Sequence, residues 1–300
     1  MVEVRQFSRS DRDQLAHLAN AHIGAVVPGW AVPTATLLSQ LEREPGEYVV
    51  DPWVIARSTV VAIERDRLVA AAHLKRYADD DRVSDSFRDA GEIDWLVFWP
   101  DHVGAGRAVM DAAIRQLDAW AVRIRYADGS LPTTATYGVP EAWPHVRRLY
   151  VEAGFDAAGG QVEVQLAGSL SGVDGPGDAP IEGLVLQRAV GPLATSFNAL
   201  LDGEAVGVFE VDDNHSGGGS KIRLAGWADE CNHWVQEDLR GRGVGTWLLR
   251  HGAAWLRLGG TERLLVYLIE NEQLDAGLRY YGRHGLRPIN RTVRGWKASS

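Results

Sequence analysis

Two hydrophobic periods alternate along this chain, and their order predicts a mixed α/β protein. In the second half, residues 184–190, Thr195–Leu201 and 205–211 read as short strands, with Asp202-Gly203 as a hairpin signal between the last two. Residues 225–235 continue as a strand. Over Val244–Leu258 the apolar positions 244, 247, 248, 255 and 258 recur at helical spacing, and Gly259-Gly260 stops the pattern. Arg263–Ile269 is a continuous apolar run of the kind buried strands show. A helix over 272–283 and a final strand or two over 286–296 complete this half.

The first half follows the same plan behind an added front section. A strand over 2–7 leads to helices over 11–21 and 34–43. Strands follow over 54–63, 67–76 and 92–98, then a long helix over 104–122, a strand over 134–138 and a helix over 140–153 that starts at Pro140. Between the halves, residues 168–180 are dominated by Gly, Ser, Pro and Asp without periodicity, which predicts a linker. The expected division is therefore 1–167, 168–180 and 181–300. Landmarks recur across it in the same order. Gly104-Ala-Gly106 and Gly243-Val-Gly245 each open a helix, Trp95 precedes the first by the same distance as Trp234 precedes the second, and Tyr150…Gly154-Phe155 answers Tyr281…Gly285-Leu286. This pattern indicates a tandem duplication.

Composition narrows the function. A net charge of −9 argues against a general nucleic-acid binder, which needs a basic face. The longest apolar run, 264–269, is far short of a membrane span, and the first residues lack the basic-then-apolar pattern of a signal peptide. A single cysteine, Cys231, excludes an intramolecular disulfide framework and a multi-cysteine zinc site, so a reducing, cytoplasmic setting and no bound metal are expected. Asn214–Ser220 reads as a flexible loop.

Chemistry concentrates between residues 229 and 246. The segment Arg240-Gly-Arg242-Gly243-Val-Gly245-Thr246 lies between a strand and a helix. Glycines let backbone N–H groups close on an anion, the helix start adds unpaired donors, and two guanidinium groups reach phosphate oxygens. Three readings fit these residues: a dinucleotide turn, with Leu248 where the third glycine belongs and Glu270 as its acid; a structural Gly-rich turn; and a coenzyme A pyrophosphate loop.

Arg240, Gly243 and Gly245 resemble motif A of the GNAT superfamily of acyl-CoA N-acyltransferases, and Tyr280-Tyr281-Gly-Arg-His-Gly285-Leu286 resembles motif B, with Leu286 where Phe is usual. The resemblance implies two tandem GNAT-like domains, each a mixed, mostly antiparallel sheet flanked by helices with a splayed pair of central strands. It implies acetyl-CoA or another acyl-CoA as co-substrate and a small-molecule primary amine as acceptor. Trp234, Val235 and Gln236 would hold the pantetheine arm; Arg240, Gly241, Arg242, Gly243, Val244, Gly245 and Thr246 the pyrophosphate; Asn271, after the following strand, is assigned to the same site. Tyr281 would protonate the leaving thiolate, with Tyr280 as its alternative. Asp229 or Glu230 would serve as base; strict alternation places Asp229, Cys231 and His233 on one face, which favours Asp229.

Departures from the family pattern predict asymmetry. Asp101 stands where Arg240 does, which repels a pyrophosphate, so the first half reads as a degenerate copy that retains its two front helices. The second half lacks those helices, having only Gly191–Ala194 between its first strands. A non-catalytic acyl-CoA sensor or scaffold is the alternative to an enzyme; transfer from aminoacyl-tRNA is disfavoured by the acidic charge. The tandem halves are expected to act as a pseudo-dimer within a monomeric chain.

Overall fold

A computed structural model describes residues 2–42, 53–127, 131, 138–157, 159–212 and 226–298. The expected strand at 134–138, apart from Gly138, and the loop 214–220 lie outside these residues. The chain divides into two compact units, residues 1–163 with 290–300, and residues 164–289.

The first unit opens with β1 (Glu3–Gln6), α1 (Arg12–Val26) and α2 (Thr34–Leu41). It continues through β2 (Val54–Glu64), β3 (Arg67–Tyr77), β4 (Ala90–Phe98), α3 (Val103–Ala119), β5 (Ile124–Tyr126), β6 (Val139–Pro140) and α4 (Pro144–Glu152). Its sheet has the order β1-β2-β3-β4-β5, extended by a C-terminal strand over Lys297–Ala298. Pairing is antiparallel except between β4 and β5. β3 and β4 are buried almost throughout, because α1 and α3 pack on the sheet. Arg65 and Asp66, at φ 50° and 61°, turn β2 into β3; two left-handed residues match the twist of a tight hairpin.

The second unit contains most of β7 (Val162–Ser169), then β8 (Val185–Val190), β9 (Thr195–Leu201), β10 (Glu204–Asp212), β11 (Trp227–Val235), α5 (Val244–Leu258), β12 (Arg263–Ile269) and α6 (Leu274–Arg283). Its strand order is β7-β12-β11-β10-β9-β8. β11 and β12 run parallel, while the β8–β9, β9–β10 and β10–β11 pairs are antiparallel. The hairpin at Asp202-Gly203 forms as the sequence indicates, with φ 52° and 86° at the two residues. α5 covers the sheet with Val244, Leu248, Leu249, Ala253 and Leu256, all buried. Gly252 faces the Phe209 ring, where a Cβ would stand 2.4 Å from Cε1. The short turn between β8 and β9 is held by the buried Glu210, whose Oε1 accepts from the N–H groups of Leu193 and Ala194 at 2.9 Å each.

Three features differ from the sequence reading. The segment 168–180 is not a free linker at its start: Leu170 and Val173 are buried in the core of the second unit, and Arg257 Nη1 donates to both of their carbonyls at 2.7 and 2.8 Å. The last eleven residues pack with the first unit. There Trp296 is buried near Tyr150, Arg294 pairs with Glu163 at 2.7 Å, and Lys297–Ala298 pairs with β5. Finally, β5 lies at 124–126, directly after Ala121 ends α3 in a left-handed conformation, φ 52°. Three half-buried residues are too few to give a periodic signal.

Candidate active site

All the residues singled out for chemistry fall in the second unit, around β11 and the starts of α5 and α6. β11 and β12 pair at Trp227↔Arg263, Ala228↔Leu264 and Asp229↔Leu265, and the ladder ends there. From Glu230 onward the two strands part. On its other side β11 remains paired with β10 as far as Val235↔Gly207. That ladder contains a bulge: Val211 pairs with Glu230 and the next residue, Glu210, with Asn232, so Cys231 is an extra residue.

The bulge changes which side chains share a face. Without it Asp229 and His233 would lie together. With it, Glu230 and His233 do, and Asp229 turns to the opposite side; the sequence preference for Asp229 is thereby corrected on geometry. Tyr281 Oη donates to Glu230 Oε1 at 2.6 Å and lies 3.0 Å from His233 Nδ1. The side chains of Glu230 and His233 are 8% and 7% exposed, and Tyr281 is buried. Tyr280 packs edge-on against both His233 and Tyr281, and His284 edge-on against Tyr280. His284 Nε2 also lies 3.4 Å from Thr246 Oγ1.

Burial sets the protonation of this cluster. It pushes the Glu230 carboxyl up to about 8, partly offset by the hydrogen bond from Tyr281. It holds His233 down at about 4, so the imidazole is neutral at pH 7. Burial, reinforced by the Glu230 charge, raises Tyr281 well above the usual phenol range. Cys231 is pushed up to about 12 by burial and the nearby carboxylates of Asp212 and Asp229, which leaves it a thiol rather than a nucleophilic thiolate.

The loop that follows has the geometry of an anion cradle. After a turn of 3-10 helix over Glu237–Leu239, Gly241 and Gly243 both adopt left-handed φ, 73° and 91°, and Gly243 is the N-cap of α5. No side chain caps that end, and the first amides of a helix have no intrahelical acceptor, so Val244, Gly245 and Thr246 present N–H groups to the loop. Arg240 Nε donates to the Val235 carbonyl at 3.1 Å, which ties the loop back to the end of β11. Arg240 and Arg242 are exposed, as is Trp234, while Val235 is half-buried. Asn271 is exposed and uses its side chain locally, accepting from Gln273 N–H at 2.8 Å ahead of α6.

Residues 173–286 match the Acetyltransferase (GNAT) family. The match spans less than half of the chain, and over it the sequence resembles a GNAT acetyltransferase domain. The whole chain has the fold of tandem GNAT proteins. It superposes on a tandem GNAT protein from the clavulanic acid biosynthesis pathway with TM-score 0.66 at 16% identity, covering 99% of this chain and 98% of that one. A GCN5-related N-acetyltransferase from Sphaerobacter thermophilus gives TM-score 0.61 at 14% identity, covering 99% and 94%. The GCN5-related glucosamine N-acetyltransferase region of a fungal multi-domain β-N-acetylglucosaminidase gives 0.63 at 15% identity; there this chain covers 99% of itself and spans 38% of the fungal chain. No curated protein matches the sequence. Members of that family are acetyltransferases. Among the described residues no cluster of His, Cys, Asp and Glu could hold a metal ion, and no helix is long and apolar enough to cross a membrane.

The first unit presents the corresponding positions differently. α3 begins at Val103, so Gly104 and Gly106 lie inside the helix and neither has a left-handed φ. Gly106 instead faces the Phe98 ring, where a Cβ would stand 2.8 Å away. Asp101 is exposed and accepts from His102 Nδ1 at 2.8 Å. Tyr150 is buried against Phe155 and Trp296. Gly106 serves packing here, and the left-handed turn that precedes α5 has no counterpart before α3.

Proposed function

We propose that the second unit transfers an acetyl or other short acyl group from coenzyme A to a primary amine by direct attack on the thioester. The observation that carries this reading is the chain Glu230–Tyr281–His233, placed where β11 parts from β12 and followed directly by the left-handed glycine loop. Amides of residues 241–246, with Arg240 and Arg242, would hold the pyrophosphate. The free edge of β11 over Trp234–Gln236 would hold the pantetheine arm, and a backbone N–H near Val235 would polarise the thioester carbonyl. Asn271 borders this site at the end of β12.

An amine arrives as an ammonium ion and must lose a proton before its nitrogen attacks. A carboxylate of ordinary pKa is a poor base for that purpose, but Glu230, held at about 8, is matched both to an ammonium donor and to a thiol near 8.5. The nitrogen forms the C–N bond, the C–S bond breaks, and the thiolate takes a proton from Tyr281. The ammonium gives its first proton to solvent before attack; Glu230 takes the second from the nitrogen as the C–N bond forms and passes a proton on to Tyr281, so one proton is released, one reaches sulfur, and the products are an amide and a free thiol. His233, neutral and bonded to Tyr281, orients the phenol. Cys231, held as a thiol, has no part in an acyl-enzyme route.

Thiol release from acetyl-CoA across a panel of primary amines tests the reading. Tyr281→Phe should lower kcat by about 10²-fold or more while leaving acetyl-CoA binding intact. Binding without turnover for any amine, unchanged by that substitution, would instead indicate an acyl-CoA sensor.

A further inference from the structure

The first unit holds a cavity of about 550 Å³ that acyl transfer in the second unit leaves unused. Small-molecule sites typically occupy roughly 300–1,000 Å³. Three elements line it: the later turns of α1, the segment from Trp99 into α3, and α4 with the two residues before it. Its walls are mostly apolar, with Trp99, Trp143, Pro100 and Pro144 giving flat surfaces.

Fixed contacts hold those walls. Trp143 Nε1 donates to the His22 carbonyl at 3.0 Å, and the two rings meet edge-on with centroids 5.4 Å apart. His22 Nδ1 lies 2.9 Å from the Leu18 carbonyl, which can only accept, so the proton sits on Nδ1. His22 Nε2 is then an acceptor and takes the N–H of His145 Nε2 at 3.1 Å. Burial keeps both imidazoles neutral at pH 7. The histidine pair is a preformed, uncharged wall.

Charge at the cavity reduces to one group. Arg107 gives two hydrogen bonds to Glu152 Oε2, at 3.2 and 2.9 Å, and that pair neutralises itself. Arg148, one turn of α4 before Glu152, also lines the cavity and makes no hydrogen bond or ion pair among the described residues. A single free guanidinium above flat apolar walls selects one negative charge on a flat apolar body. A pyrophosphate is disfavoured by Asp101 and by the absence of left-handed glycines at the start of α3.

We propose that this cavity binds a small aromatic monocarboxylate, its ring between Trp99 and Trp143 and its carboxylate on Arg148. The test is calorimetric titration of the full chain with phenylacetate and, separately, with uncharged phenylacetamide. Phenylacetate should bind saturably, and phenylacetamide at least about tenfold more weakly, the loss expected for one charge-assisted contact. Arg148→Gln should weaken phenylacetate by a similar factor without moving the melting temperature. Ala25→Trp, from an exposed position on α1 that lines the cavity, should fill it and abolish binding. Absence of saturable phenylacetate binding at millimolar concentration, equal binding of the amide, indifference to Arg148→Gln, or competitive displacement by coenzyme A would each overturn the proposal.

Discussion

Replacing Glu230 by Gln probes the site most directly, because it removes a titration and little else. The amide oxygen can still accept from Tyr281, so packing and the 2.6 Å contact are preserved in kind. In the native protein the carboxyl titrates at about 8 against an ordinary 4.5. Between these values the folded state holds a proton that the unfolded state has released, so stability falls as pH rises, by about 1.4 kcal/mol per pH unit at most. Below pH 4.5 the contribution is fully present; above 8 it is gone. Accumulated over the window, the effect is on the order of a few kcal/mol. Glutamine has no such slope. Melting temperatures of variant and parent, measured every half unit from pH 5 to 9, should therefore diverge, with the variant gaining relative to the parent as pH rises. Comparing the two curves cancels the buried histidines His22, His73 and His145, whose lowered pKa values shape both alike. Activity supplies a second readout. At pH 7 roughly a tenth of Glu230 is ionised, so turnover should climb about tenfold towards pH 9 in the parent and lose that rise in the variant. Parallel melting curves together with an unchanged pH–rate profile would refute the assignment of a perturbed, functional carboxylate.

Other expectations follow from separate contacts. Gly243→Ala forces φ 91° on a residue with a Cβ and brings that atom 3.2 Å from Pro180; it should destabilise by about 1–2 kcal/mol and raise the KM for acetyl-CoA, read from melting and steady-state kinetics. Glu210→Ala strips one buried and one part-buried N–H group of their acceptor and should cost about 1–3 kcal/mol in denaturant unfolding. Cys231→Ala should retain turnover within about twofold, and in the parent its thiol should react slowly with alkylating agents at pH 8. Gly252→Ala drives a Cβ to 2.4 Å from Phe209 and should lower thermal stability by about 1–3 kcal/mol through overpacking.

Much of the second unit was legible because its signals are local. The Asp202-Gly203 hairpin, the helix stopped by Gly259-Gly260 and the apolar run of β12 each depend on neighbouring residues alone. Glu230 and Tyr281 could be named as candidates, but their partnership could not be read. It depends on the bulge at Cys231, which leaves no compositional mark, and strict alternation then assigns the wrong carboxylate to the face of His233. The burial of Leu170 and Val173 was equally hidden, since two apolar residues among Gly, Ser and Pro look like a linker until Arg257 is known to reach their carbonyls. Pairing of the last strand with β5 is a long-range choice, and Trp296 alone does not announce which unit it will fill.

The two copies show why a shared motif is weak evidence for a shared activity. Gly104-Ala-Gly106 and Gly243-Val-Gly245 are nearly the same string, yet the backbone uses them for different ends. Before α5, Gly241 and Gly243 supply two left-handed turns, so the helix starts late and its first amides converge on the loop. Before α3 the residue matching Gly241 is His102, at φ −109°, and the helix starts at once. What remains for Gly106 there is clearance for Phe98, while a Cβ on Gly104 would meet nothing within 4 Å. Losing the arginine alone would have weakened an anion site; losing the left-handed turn removes its shape. The residue to compare between such copies is thus the one two positions before the motif, and His102→Gly with Asp101→Arg tests whether that is enough. If restoring both gives the first unit measurable coenzyme A binding by calorimetry, in a chain whose second site is disabled at Gly243, turn geometry and charge together account for the asymmetry. If it does not, the difference lies deeper, in the packing that buries Tyr150.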